Sequence, residues 1–136
     1  MHRILLAEDN RINQVVAAGV LKKLGFEVDI VDDGAAAVAV FAAQDYDAVL
    51  MDVMMPGVDG YQATGLIRTH EARHGRPQVP IIGLSARAMA GDREIAIEAG
   101  MNDYLTKPVR TADLADAMGR WIDPNLGSRP SLQLSR

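Results

Sequence analysis

The chain contains no cysteine, which excludes a disulfide, a thiolate nucleophile and a zinc-thiolate centre and agrees with a reducing compartment. It also lacks any apolar run near the roughly 18 residues that cross a bilayer. Met1-His2-Arg3 leads straight into a strand-like run rather than a signal peptide. A cytoplasmic domain without membrane contact is expected. Charge of one sign is scarce too, with 14 Lys and Arg against 18 Asp and Glu and a net charge of -4. The nearest basic cluster, Arg68 to Arg76, is interrupted by Glu71. No nucleic-acid partner is expected, because phosphate contacts need clustered cations.

What is present is apolar and periodic. A hydrophobic fraction of 49% over 136 residues fills one core in one domain. Strand-like runs near 3–7, 27–31, 47–51, 79–84 and 102–105 alternate with helix-like runs near 11–24, 34–43, 60–73, 89–99 and 112–122. Five such units predict an α/β fold, a doubly wound five-stranded parallel sheet with helices on both faces. Runs 4–7, 48–51 and 81–84 are apolar throughout, as befits central strands, whereas 26–30 alternates like an edge strand. The order 2-1-3-4-5 accommodates both.

Punctuation supports the helices. Gly25 and Gly100 stand where a left-handed residue closes a helix, Asp59 with Gln62 forms a capping box, and Thr111 is placed to cap the last helix. Leu114, Met118, Trp121 and Ile122 fall on one helical stripe. From Asp123 the chain turns to two prolines, a glycine and three serines. The expected organisation is a domain over 1–122 and a disordered tail or linker over 123–136.

The chemistry gathers at strand ends. Ile4–Ala7 meets Glu8-Asp9, Ala48–Met51 meets Asp52, Ile81–Leu84 meets Ser85, and Tyr104-Leu105-Thr106 meets Lys107-Pro108. In an open parallel sheet these ends share one rim, where ligands bind. Three acids, a hydroxyl and a lysine there suit a hard divalent cation and leave a carboxylate to attack a phosphoryl group.

Taken together, Glu8-Asp9-Asn10 with Asn13, the Met51 to Gly60 stretch, Leu84-Ser85-Ala86, Ala99 to Leu105 and Lys107-Pro108 resemble the receiver domains of two-component response regulators. The resemblance runs in order over 3–122 and is strongest to the receivers of hybrid sensor kinases and phosphorelays. It implies a flavodoxin-like fold and a phosphoacceptor switch that promotes its own phosphorylation and dephosphorylation and is otherwise no enzyme. By this resemblance Asp52 accepts a phosphoryl group from a sensor histidine kinase or a histidine phosphotransfer protein. Asp9, Asp52 and the backbone carbonyl of Met54 ligate Mg2+, and Glu8 acts through water.

The same resemblance has Lys107 and Ser85 engage the phosphoryl oxygens and Pro108 fix Lys107 through a cis bond. Tyr104 serves as the switch aromatic, and the face made by helix 4, strand 5 and helix 5 reports to a downstream protein partner, or the phosphoryl group is passed on. Met54 and Arg87 occupy positions that tune phosphoryl lifetime. Ser85 departs from the commoner threonine, keeping the hydroxyl but losing the methyl that stiffens the rotamer.

Other readings compete. Glu8-Asp9 suits the start of a helix on its own. His70 and His74 sit four apart but lack a third metal ligand. Met51, Met54 and Met55 read as core and loop filler, and Trp121 as a core anchor with an edge for a partner. A flavin carrier would need a phosphate-cradling loop where Glu8-Asp9 stands. A haloacid dehalogenase-like hydrolase would need a second acid where Met54 stands. A degenerate receiver acting as a phosphorylation-independent interaction module is the remaining alternative. Met1 beside the first strand favours a free-standing regulator, while the tail favours a receiver cut from a hybrid kinase.

Overall fold

The three wholly apolar runs become the centre of a parallel sheet. In the computed structural model, which describes residues 2–86 and 89–122, the order is β2 (Glu27–Val31), β1 (Arg3–Ala7), β3 (Ala48–Asp52), β4 (Ile81–Ser85) and β5 (Asp103–Thr106). Helices α1 (Arg11–Lys23), α2 (Gly34–Ala43), α3 (Gly60–Arg73), α4 (Asp92–Ala99) and α5 (Thr111–Trp121) follow the strands in turn. Every residue of β3 and β4 is buried, so these strands have no solvent face and no need of polar alternation.

Period-two geometry divides the core. Ile4, Leu6, Leu50, Ile82 and Leu84 pack with Leu21 of α1 and Leu114 and Met118 of α5. Leu5, Val49, Met51 and Ile81 pack on the other face with Phe41 of α2, Ile67 of α3 and Ala96 of α4. Registers Ala7 to Met51, Met51 to Gly83 and Ser85 to Thr106 keep the carboxyl ends nearly level. The residues just past β1, β3, β4 and β5 therefore share one rim.

The caps form largely as expected. Asn10 Oδ1 accepts from the Asn13 amide at 3.0 Å, and Asp59 and Gln62 complete a reciprocal capping box at 2.8 and 2.9 Å. Gly25 and Gly100 take positive φ of 97° and 108°. Thr111 does not cap: α5 begins one residue earlier than that role requires, with Arg110 at the cap and no side-chain hydrogen bond.

β4 and α4 start two and three residues later than the periodicity suggests. β4 begins at Ile81 because the Val79 amide donates to Glu71, the Val79 carbonyl accepts from Arg68, and Pro80 has no N–H for the ladder. α4 begins at Asp92, whose carboxylate accepts from the Met89 amide and ties the preceding turn to the helix start. No helix among the described residues is long and apolar enough to cross a membrane. The tail over 123–136 and Arg87 lie outside the described residues.

Candidate phosphoacceptor site

The rim brings together Glu8 and Asp9 after β1, Asp52 at the end of β3, Ser85 at the end of β4 and Lys107 after β5. Asp52 is 1% exposed and Glu8 equally buried. The Lys107 ammonium lies 3.1 Å from Glu8 Oε1 and 3.1 Å from Asp52 Oδ1. One cation thus faces two buried carboxylates. The Met54 amide also donates to Asp52 Oδ1 at 3.2 Å, and the Asn10 amide donates to the second Glu8 oxygen at 3.1 Å.

This balance shifts both titrations. Burial, then the neighbouring Glu8 carboxyl, pushes the Asp52 carboxyl up to about 7, against the opposing pull of the Met54 amide and Lys107. Burial pulls the Lys107 ammonium down, but Asp52 and Glu8 together outweigh it and hold the group above its ordinary value.

One atom is left over. Asp52 Oδ2 is buried with no hydrogen-bond partner among the described residues, a costly state for a carboxylate oxygen. Glu8, Asp9 and Asp52 each offer an oxygen within 4.8 Å of the others. An all-oxygen set with one exposed member and an unsatisfied buried atom fits a hard, partly hydrated cation such as Mg2+. Both Glu8 oxygens are already engaged, which suits an indirect role.

The remaining expected residues fall around this centre. Ser85 is buried, and its carbonyl accepts from the Lys107 amide at 2.6 Å. The Lys107-Pro108 bond is cis. The Met54 side chain is 73% exposed, unlike the buried Met51 and Met55, because it points outward from the loop at the mouth. Tyr104 lies on β5, its hydroxyl 3.4 Å from Asp92 at the start of α4. His70 near the end of α3 and His74 at its C-cap sit away from the rim, their rings 4.2 Å apart.

Three supporting features escape a sequence reading. A Cβ on Gly60 would fall 2.3 Å from the Asp52 carbonyl oxygen, so α3 starts hard against the end of β3. Arg68 donates to Gly100, Val79, Glu71 and Asn102, binding α3 to the loops around β4 and β5. Asp103 is buried among donors from α4 and α5. Burial opposes its ionisation, yet the Trp121 indole, the Tyr104 amide and the guanidiniums of Arg120 and Arg93 hold its carboxyl below the usual range. Apart from Glu71, three residues from Arg68 on the same helix, these side-chain partners lie 10 to 34 residues apart and leave no periodic signal; of these residues only Gly100 stands out, by its place at a helix end.

The family model for the response regulator receiver domain matches residues 4–119. The sensor protein GacS of Pseudomonas syringae is 42% identical over 119 residues, 88% of this chain but 13% of its own length. The chain therefore spans a small part of the curated relatives it matches. Among solved structures, the receiver domain of a sensor histidine kinase of Pseudomonas aeruginosa, with magnesium in its active-site cleft, shares 49% identity. It has a TM-score of 0.80, covering 89% of this chain and 97% of that one. The receiver domain of Ssk1 from Saccharomyces cerevisiae, bound to the histidine phosphotransfer protein Ypd1, shares 30% identity at a TM-score of 0.83, covering 88% of each chain.

Proposed function

The chain belongs to the response regulator receiver domain family, and from that premise we propose that residues 1–122 form a phosphoacceptor switch in which Asp52 takes a phosphoryl group from phosphohistidine. An Asp52 oxygen forms the new P–O bond as the P–N bond breaks, and the imidazole leaves with the electron pair. Such a transfer asks the protein for alignment and charge neutralisation rather than covalent help. The observation that carries this reading is the buried Asp52 carboxylate, held by Lys107 on one oxygen and unsatisfied on the other, at the open end of the sheet.

Asp9, Asp52 and the Met54 carbonyl would hold Mg2+, with Glu8 acting through water. Bound Mg2+ supplies the second positive centre that two carboxylates and an incoming phosphoryl group require. Lys107 shifts its pairing from Asp52 to a phosphoryl oxygen, keeping its charge near the anion it already serves. Ser85 donates its hydroxyl to another oxygen. That contact draws the loop after β4 inward, and Tyr104 follows on the neighbouring strand. The α4–β5–α5 face then changes its affinity for a downstream partner by population shift. Exposed Met54, beside the site, and Arg87 set how readily water reaches the phosphoryl group. The same site accepts small phosphodonors without a partner.

The phosphodonor is a sensor histidine kinase or a histidine phosphotransfer protein, encountered in the cytoplasm. Beside the site, Ile12, Val15 and Val16 of α1 are 73%, 60% and 41% exposed. Ile12 and Val16 border a cleft with Lys107, Pro108 and Val109. An apolar patch of this kind next to the acceptor suits a helical donor that must bring its phosphohistidine to the rim. The test is transfer from a phosphorylated histidine phosphotransfer protein: label moves to this chain with Mg2+ and not with EDTA. Retention of label on a panel of competent donors would overturn the reading.

A further inference from the structure

The Ala99 to Leu105 stretch contains a residue that the phosphoryl chemistry leaves unused. Asp103 lies where β5 passes between α4 and α5, and it is 2% exposed. Its Oδ1 accepts from Arg93 of α4 at 3.1 Å and from the Tyr104 amide at 2.9 Å. Its Oδ2 accepts from Arg120 and, at 2.9 Å, from the Trp121 indole, both on α5. The two arginine side chains are more than half exposed. Long exposed cations gain little from ordinary surface pairing, but here both converge on one buried anion whose ionised form needs them.

Neighbouring β5 residues also grip neighbouring α4 residues. Asp103 holds Arg93, while Tyr104 reaches Asp92. Since adjacent strand residues point to opposite faces, the two contacts to the start of α4 come from opposite faces of the strand. The strand holds α5 through Asp103.

We propose that Asp103 is a positioning residue of the switch, linking α4 to α5 across β5 so that the response at Tyr104 reaches both helices together. This rests on the phosphorylation reading above. Without Asp103, the site would still accept a phosphoryl group and α4 would still respond, but α5 would not follow.

The test uses the full chain with acetyl phosphate and Mg2+, reading adduct formation by intact mass and the response of each helix by hydrogen exchange. Emission from Trp121, the only tryptophan, adds a second report of α5 in the parent and in Arg120→Met, where its bond to Asp103 is kept. In the parent, phosphorylation is expected to alter exchange in both helices and to shift the emission. Asp103→Asn should form adduct within about twofold of the parent rate, retain the α4 response and lose at least about fivefold of the α5 response, the low end of usual coupling factors. Arg120→Met removes one of the two α5 donors to Asp103, leaves the Trp121 indole and keeps the buried acid, so a partial loss of the α5 response is expected and it serves if Asp103→Asn fails to fold. Full α5 response to phosphorylation in Arg120→Met and in folded Asp103→Asn would overturn the proposal, as would an unresponsive α5 in the phosphorylated parent. Absence of adduct on the parent would instead overturn the phosphorylation reading itself, and this proposal with it.

Discussion

Asp52 and Glu8 place two buried carboxylates against the single ammonium of Lys107, so the metal-free site carries unbalanced negative charge. Asp52→Asn removes one of those charges and is expected to raise the melting temperature in EDTA by about 3–6 °C, equivalent to roughly 1 kcal/mol in a domain of this size. In Mg2+ the advantage shrinks, because the parent gains stability from the ion it binds. Lys107→Met has the opposite sign: it leaves the carboxylates facing each other and should cost about 1–3 kcal/mol. Urea denaturation of both variants in EDTA checks the pair. Equal midpoints for parent, Asp52→Asn and Lys107→Met would remove the electrostatic account.

At the level of elements, the start of α3 fixes the end of β3. Gly60→Ala drives a methyl to within 2.3 Å of the Asp52 carbonyl oxygen, and we expect it to lower stability by about 2 kcal/mol or more and to slow phosphorylation from every donor. Changes on α1 should discriminate between donors. Ile12→Asp and Val16→Asp, on the exposed patch, should reduce transfer from a histidine phosphotransfer protein about tenfold or more while leaving phosphorylation by acetyl phosphate unchanged. Equal loss with both donors would mean that the patch supports the site rather than the docking.

Much of this was legible because the central strands are covered on both faces. Uninterrupted apolar runs at 4–7, 48–51 and 81–84 marked them, and each ended on a polar residue of the site. Boundaries were misread where side chains replace the ladder. Val79 looks like strand, but Glu71 and Arg68 take its amide and carbonyl. Met51, Met54 and Met55 read alike as core and loop filler, and Met54 alone of the three is exposed. The convergence of charge at Arg68 and Asp103 was not legible, since most of their partners are brought near only by the fold.

Across the whole molecule, two carboxylates give stability opposite slopes with pH. The folded-state value for Asp52 is raised, to about 7 from 3.8. The folded protein therefore keeps a proton that the unfolded chain has lost, and metal-free stability rises as pH falls from about 7 toward 4. The Asp103 value is lowered, so its contribution is present above the unfolded value of 3.8 and is lost as pH falls through the lower folded value. Melting temperatures in EDTA should pass through a maximum near pH 4 to 5. Asp52→Asn should flatten the neutral limb and Asp103→Asn the acid limb. Monotonic curves for all three proteins would contradict this assignment of the buried charges.

The proposed switch requires Asp52 as the phosphoryl acceptor. Intact-mass spectrometry after incubation with acetyl phosphate and Mg2+, run beside Asp52→Ala, tests that most directly. A single phosphoryl adduct is predicted on the parent, absent in EDTA and absent from Asp52→Ala. An equal adduct on Asp52→Ala, or none on the parent with any small or protein donor, would contradict it.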